Sequence, residues 1–340
     1  MVLAIPLVSF ANMACQRSPE QSAAPAVSST SPTASDPVDC RNVEHEVGTT
    51  EVCGQPQRIV ALGPYVLEHL LALGVQPIGF SDYAAFHQGD YDDPSQQIPL
   101  LGSRITQPLA NVGLAETPSL EAILKAHPDL ILGTTANAAI YDALSDIAPT
   151  VLLERFDPEA SLQTVAQAVD RSEQVGQVFA TVEQHLTSAR DQLAPVVANH
   201  PNVLLLITPQ LQEIYLGSNY EACGSPIEAI GFQLVYPPNV DATTPKSWVP
   251  MSIETLPKLN EADVIILLGA SFSEFDGTSS FEEHQLSGLK QAWEENAIAQ
   301  SLDASKAGQV YFIPAYLCAG LPGAIGTELY LNALENQLLD

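Results

Sequence analysis

The sequence predicts an α/β protein: two Rossmann-like α/β lobes joined by a single long helix, with a cleft between the lobes. Three observations predict it. The chain has 340 residues with 46% hydrophobic content, more than one core absorbs, because single cores stop growing and chains divide before that length. The segment Ser119-Leu-Glu-Ala-Ile-Leu-Lys-Ala-His-Pro-Asp-Leu-Ile-Leu-Gly returns as Ser252-Ile-Glu-Thr-Leu-Pro-Lys-Leu-Asn-Glu-Ala-Asp-Val-Ile-Ile-Leu-Leu-Gly, each copy a short helix feeding a buried parallel strand. Between the copies, residues 161–197 place Val165, Val169, Val175, Phe179, Val182, Leu186 and Leu193 on one broad helical face, and a helical connector is stiff enough to restrict movement of the lobes.

In chain order, residues 1–15 come first. Val2 to Ala11 is an apolar run too short to span a bilayer but of the length of a signal-peptide core. It leads into Asn12-Met-Ala-Cys15, which resembles a bacterial lipobox; that resemblance implies a signal peptide and lipidation of Cys15. Residues 16–39 are dominated by Ser, Ala, Pro, Thr and Gln. Ordering them would cost backbone entropy with little apolar surface to bury, so they are expected to form a flexible tether between membrane and folded domain. The excess of 40 Asp+Glu over 12 Lys+Arg, a formal charge of -28, repels phosphate backbones and argues against nucleic acid as a partner.

The folded part divides into an N-terminal α/β lobe with a leading hairpin (40–160), the linking helix (161–197) and a C-terminal α/β lobe (198–340). Between Cys40 and Cys53, apolar residues alternate around a Gly-containing turn, as in a hairpin, and the two cysteines are expected to pair in an oxidising compartment. Cys223 and Cys318 either pair with each other or are two small buried thiols. Arg58-Ile-Val-Ala-Leu-Gly-Pro-Tyr is a strand running into a turn, followed by a helix that Gly74 stops. Gln76-Pro-Ile-Gly-Phe is a second strand, and the long loop after it, to about Gln97, has the length of a functional loop.

Several motifs then fall in order over residues 42–335: His45-x-x-Gly48, Pro56-Gln-Arg-Ile-Val-Ala-Leu, the Glu68 helix ending in Ala-Leu-Gly74, Pro-Ser119-Leu-Glu, Gly-Ser225-Pro-Ile-Glu-Ala-Ile-Gly, Trp293 and Gly-Gln309-Val-Tyr. The pattern resembles the helix-linked periplasmic substrate-binding proteins of ABC importers for siderophores, cobalamin and haem. The iron-siderophore branch is the nearest match, through Leu101-Gly-Ser-Arg104 and Gly326-Thr-Glu-Leu-Tyr. The resemblance implies a monomeric, lipid-anchored, periplasmic or cell-surface protein that passes a ferric siderophore to an ABC permease dimer with its ATPase. It further implies that Glu68 and Glu228, one on each lobe, dock on arginines of the permease, where paired carboxylate and guanidinium groups are orienting.

Open α/β sheets bind ligands at the carboxyl ends of their strands, so the ligand cleft is expected to draw on Tyr65, Tyr83, Arg104 and Arg155 from the first lobe and Tyr220, Trp248, Phe272 and Tyr316 from the second. Aromatics suit an amphiphilic chelate, and arginines suit its anionic oxygens. The related proteins often carry a further Arg before Pro-Ser-Leu-Glu, where this chain reads Val112-Gly-Leu-Ala-Glu-Thr; that departure favours a hydroxamate or citrate-hydroxamate chelate. Iron is then held through the chelate, with no cofactor and no direct metal ligand. The seven His show no paired helical spacing for bare zinc or manganese. Haem or cobalamin binding is the alternative within the same transporter class. Neither Gly-x-Ser-x-Gly nor a phosphate-cradling Gly loop is present, so the sequence does not read as an enzyme. A purely structural surface lipoprotein would share the tether but gain no stability from a ligand.

Overall fold

An antiparallel hairpin, β1 (Cys40–His45) and β2 (Gly48–Cys53), is the first element of the computed structural model, which describes residues 39–155, 157–217, 222–238, 240, 249–271 and 273–339. Cys15 and nearly all of the tether lie outside the described residues. Cys40 stands opposite Cys53 in the hairpin register and is bonded to it, as expected. The hairpin lies beside the outer strand of the first lobe, where the Glu46 N–H donates to the Leu152 carbonyl and the Thr50 hydroxyl to that of Thr150, so an edge that would otherwise be open is covered.

The first lobe is a five-stranded parallel sheet in the order β5 (Ala110–Leu114), β4 (Gly79–Asp82), β3 (Ile59–Leu62), β6 (Leu130–Thr134), β7 (Thr150–Leu153). β3, β4, β6 and β7 are buried along their whole length, which is why their sequences run apolar rather than alternate. β3 turns at Gly63, whose φ of 107° suits glycine, into α1 (Pro64–Ala72) with proline at its start. The repeat is visible in three dimensions. Ser119 caps α2 (Leu120–Ala126) by accepting from the Ala122 N–H, and Ser252 accepts from the Glu254 N–H at the start of a 3-10 helix, Ile253–Leu259, in which Pro257 removes a donor. In each copy an acid just before the strand clamps the start of the neighbouring one: Asp129 accepts from the Gln57 and Arg58 N–H groups, Asp263 from that of Asn202.

The predicted helix over 161–197 is two helices. α3 (Pro158–Ala168) belongs to the first lobe, the chain then passes through Asp170 at φ 58° with the Arg171 N–H closing on the Ala166 carbonyl, and the linking helix proper is α4 (Val175–Asn199). Arg41 of the hairpin caps the end of α3 by donating to the Gln167 and Ala168 carbonyls. At 25 residues, α4 is about 37 Å long.

In the second lobe, β8 (Asn202–Gln210), β12 (Val264–Gly269) and β13 (Val310–Pro314) are parallel, matching the repeat. This lobe is not a pure copy of the first. β9 (Glu213–Leu216) runs antiparallel to β8, and β11 (Val249–Met251) antiparallel to β9, while the two-residue β10 (Gln233–Leu234) runs parallel to the start of β8. After β9, α5 (Gly224–Ala229) follows, and the chain ends in α6 (Ala324–Leu339), which packs along α4 and reaches α1 with its first turn. Cys223 and Cys318 are bonded, settling the open alternative and tying the start of α5 to the turn after β13. The core of the first lobe continues into this junction, since Phe275, Tyr316, Leu321 and Ile325 pack with it.

Candidate ligand cleft

The carboxyl ends of the first lobe's strands converge on a pocket lined by Leu62 and Gly63 after β3, Tyr65 on α1, Tyr83 after β4, Ala115 and Glu116 after β5, Thr134 and Ala136 after β6, and Arg155 after β7. Two of these positions are held by Asn137, whose amide donates to the Ala115 carbonyl and accepts from the Thr134 N–H. Gly133 permits that bridge, because a Cβ there would stand 2.7 Å from the Asn137 oxygen.

Three of the expected first-lobe residues meet in this pocket. Tyr65 is fully buried and its hydroxyl donates to the Glu154 carbonyl at 2.9 Å, so it forms wall rather than a free polar tip. The guanidinium of Arg155 lies over the ring of Tyr83, 5.5 Å from its centre. Burial pushes the Tyr83 hydroxyl up to about 12, against the pull of Arg155. The Nε–H of Arg155 is buried without a hydrogen-bond acceptor. Beneath this group, Asp82 is buried, one carboxylate oxygen accepting from the Tyr83 N–H at 2.7 Å and the other without a partner. Burial, with the charge of Glu116 adding to it, raises Asp82 to about 7.

Arg104 is not in the pocket. Its carbonyl accepts from Gln76, which precedes β4, so it sits toward the opposite end of that strand, and its guanidinium pairs with Glu328 of α6 at 3.1 Å. Tyr316 lies in an aromatic cluster at the lobe junction, with ring centres 5.3 Å from Phe86 and 5.1 Å from Phe281. Tyr220, Trp248 and Phe272 lie outside the described residues. Ala115, Glu116, Thr134 and Ala136 were not expected, although the strand-end rule that pointed to Tyr83 and Arg155 applies equally to the ends of β5 and β6.

The docking expectation is corrected at Glu68. This residue is fully buried, its carboxylate accepting from the Gly326 N–H at 2.7 Å and the Gly323 N–H at 3.0 Å, and it offers nothing to an external arginine. α1 is buried on every side from Pro64 to Leu70 because α6 covers the face that helical spacing alone would leave to solvent. Glu228 is exposed on α5.

The sequence profile of the periplasmic binding protein family matches residues 59–317, which contain the whole pocket and the linking helix. This chain belongs to that family. A periplasmic binding protein captures a solute and is not an enzyme. Relatives include the Fe(3+)-citrate-binding protein YfmC of Bacillus subtilis (strain 168), 26% identical over 280 residues covering 80% of this chain and 78% of that protein. Another is the Fe(3+) dicitrate-binding periplasmic protein FecB of Escherichia coli (strain K12), 26% identical over 293 residues covering 84% and 86%. Staphylococcus aureus SirA, solved in complex with staphyloferrin B, shares the fold with a TM-score of 0.64 at 22% identity, over 88% of this chain and 98% of that one. Among the described residues of this periplasmic binding protein, no helix is long and apolar enough to cross a membrane. The one grouping of potential metal ligands among them is Cys40, Glu51 and Cys53, whose two sulfurs are bonded to each other.

Proposed function

We propose that this protein captures a ferric siderophore, of hydroxamate or citrate-hydroxamate type, and delivers it to the permease dimer of an ABC importer. The observation that carries this reading is Arg155: a permanently charged guanidinium, stacked on Tyr83, with a buried donor lacking an acceptor. A buried donor left unpaired costs about 1–3 kcal/mol, which an incoming anionic oxygen recovers. Glu116 lines the same pocket and offsets part of the positive charge, which favours a chelate of low net charge over a highly anionic catecholate. The ferric citrate relatives support the broader class.

A thermal-shift panel on the folded domain from Asp39 tests it, with a ferric hydroxamate, ferric citrate, a ferric catecholate, haemin and cobalamin. Stabilisation by the ferric hydroxamate or citrate and not by the iron-free form is the expected result. A response to haemin or cobalamin alone would move the protein to another ligand class.

For docking, Glu228 remains exposed on α5, and with Glu68 enclosed the repeat offers a matched pair besides it. Glu121 and Glu254 are both exposed, each in the first turn after its capping serine, and α2 also exposes Leu120 and Leu124. Reversing both charges should abolish uptake while leaving chelate binding intact. Lipidation of Cys15 completes the reading; Cys15→Ala should release the protein from the membrane fraction.

A further inference from the structure

Helix α6 begins at Ala324 after Gly323, which has no side chain to cap it. The first turn of a helix leaves its N–H groups without internal partners, and a side-chain oxygen at the cap position ordinarily accepts from them. Here the acceptor comes from the other lobe. Glu68 of α1 receives the N–H groups of Gly323 and Gly326. The contact is tight: a Cβ on Gly323 would stand 2.9 Å from His69 Cε1 and 3.0 Å from Glu68 Cδ. The capped segment also carries Tyr316 of the junction aromatics and Cys318, bonded to Cys223. One short stretch, 315–326, thus couples the end of β13, a disulfide and the opposing lobe.

We propose that Glu68 is a positioning residue for ligand capture: by capping α6 across the lobe junction it fixes the separation of the lobes and hence the width of the cleft. The inference rests on the cleft being the ligand site, but its own geometry is independent of the ligand. Burial raises Glu68 to about 7 despite its backbone donors. The groups around it are Tyr65 and His69 on α1, Tyr83 after β4, Tyr316 after β13 and, through these tyrosines, Arg155. On α6 the nearby charge is Glu328, paired with Arg104. His69, held down to about 3 by burial, stays neutral across the range that matters. An acid whose closed-state value lies above its solvated one binds its proton more tightly when closed. The junction is therefore held most firmly below about pH 4.5 and loosens as pH rises toward about 7.

Hydrogen exchange at residues 323–327, corrected for intrinsic rates and followed from pH 4.5 to 8, tests this together with binding of ferric citrate and a ferric trihydroxamate. Wild type should lose protection as pH rises. Glu68→Gln, a neutral isostere that still accepts one N–H, should keep protection and flatten the profile, which separates Glu68 from Asp82. Glu68→Ala should speed exchange at least tenfold and weaken binding of whichever probe binds. Gly323→Ala, which drives a methyl group against His69 and the Glu68 carboxylate while leaving both side chains in place, should do likewise and stands in if Glu68→Ala fails to fold. Exchange in Glu68→Ala or Gly323→Ala equal to wild type, or a profile unchanged in Glu68→Gln, overturns the proposal. Absence of binding by wild type itself counts against the ligand reading alone, and the exchange result then decides the positioning role.

Discussion

The cleft and the lobe junction lie a few residues apart on the same strand-to-helix connections, yet they treat ionisable carboxylate and guanidinium groups in opposite ways. At the junction, Glu68 is wholly enclosed and its oxygens accept backbone donors from the other lobe. In the cleft, Arg155 keeps a buried donor without an acceptor and Asp82 a buried oxygen without a donor. Unpaired buried groups cost stability; at the junction the cost falls on the neutral ring of His69, whose two nitrogens lack partners, whereas beside the pocket it falls on Arg155 and Asp82, where an ionic partner would relieve it.

Breaking the junction's covalent support should have the largest effect. The Cys223–Cys318 bond closes a loop of 95 residues and anchors the segment that Glu68 caps, whereas Cys40–Cys53 closes 13. Chain-entropy reasoning gives about 4–5 kcal/mol for the longer loop and about 3 for the shorter. Cys223→Ser with Cys318→Ser should therefore shift the denaturant midpoint further than Cys40→Ser with Cys53→Ser. It should also raise exchange at residues 323–327, which the hairpin pair leaves unchanged. Equal shifts, with exchange unaltered in both, would remove the mechanical distinction between junction and hairpin.

Local signals carried much of this architecture into the sequence. The hairpin register, the Ser-capped repeat and the buried strands after Asp129 and Asp263 are all written in short-range spacing, and the strand-end rule found Tyr83 and Arg155. The break after α3 was missed. Val169 and Val175 looked like one face although a six-residue step does not return to the same side of a helix, and Asp170 sits within that step in the left-handed region. What short-range spacing does not encode is which distant segment covers an element. Glu68 looked solvated because α1 alone has a polar side there; only the return of residues 323–326 buries it. Arg104 looked like a cleft residue because a loop arginine suits an anionic chelate oxygen, and its true neighbour, Glu328, lies 224 residues further on.

Removing the cleft's open cation should come next in size. Arg155→Ala deletes a charged donor and uncovers one face of Tyr83. Hydrogen bonds to charged groups are worth about 1.5–3 kcal/mol, so affinity for the chelate should fall roughly ten- to hundredfold. Folding stability should hold or rise slightly, since an unpaired buried donor leaves with the side chain. Titration with the chelate identified by the panel, alongside denaturant unfolding, checks both halves. A loss of stability without loss of affinity would place Arg155 with the junction residues instead.

The smallest effect is expected at Arg104, and it sharpens the comparison because Arg104 has the same chemistry as Arg155 in the opposite setting. Its partner Glu328 is 3.1 Å away, and the two side chains keep 39% and 33% of their exposure. Water screens such a pair, and holding two long side chains in register offsets most of the attraction, leaving about 0.2–1 kcal/mol. Arg104→Ala should therefore change stability by less than about 1 kcal/mol, an effect that fades with added salt, and leave chelate affinity unaltered. If Arg104→Ala weakened the chelate as much as Arg155→Ala, the ligand would have to reach the seam side of the first lobe. The separation of cleft from junction would then give way to one continuous site.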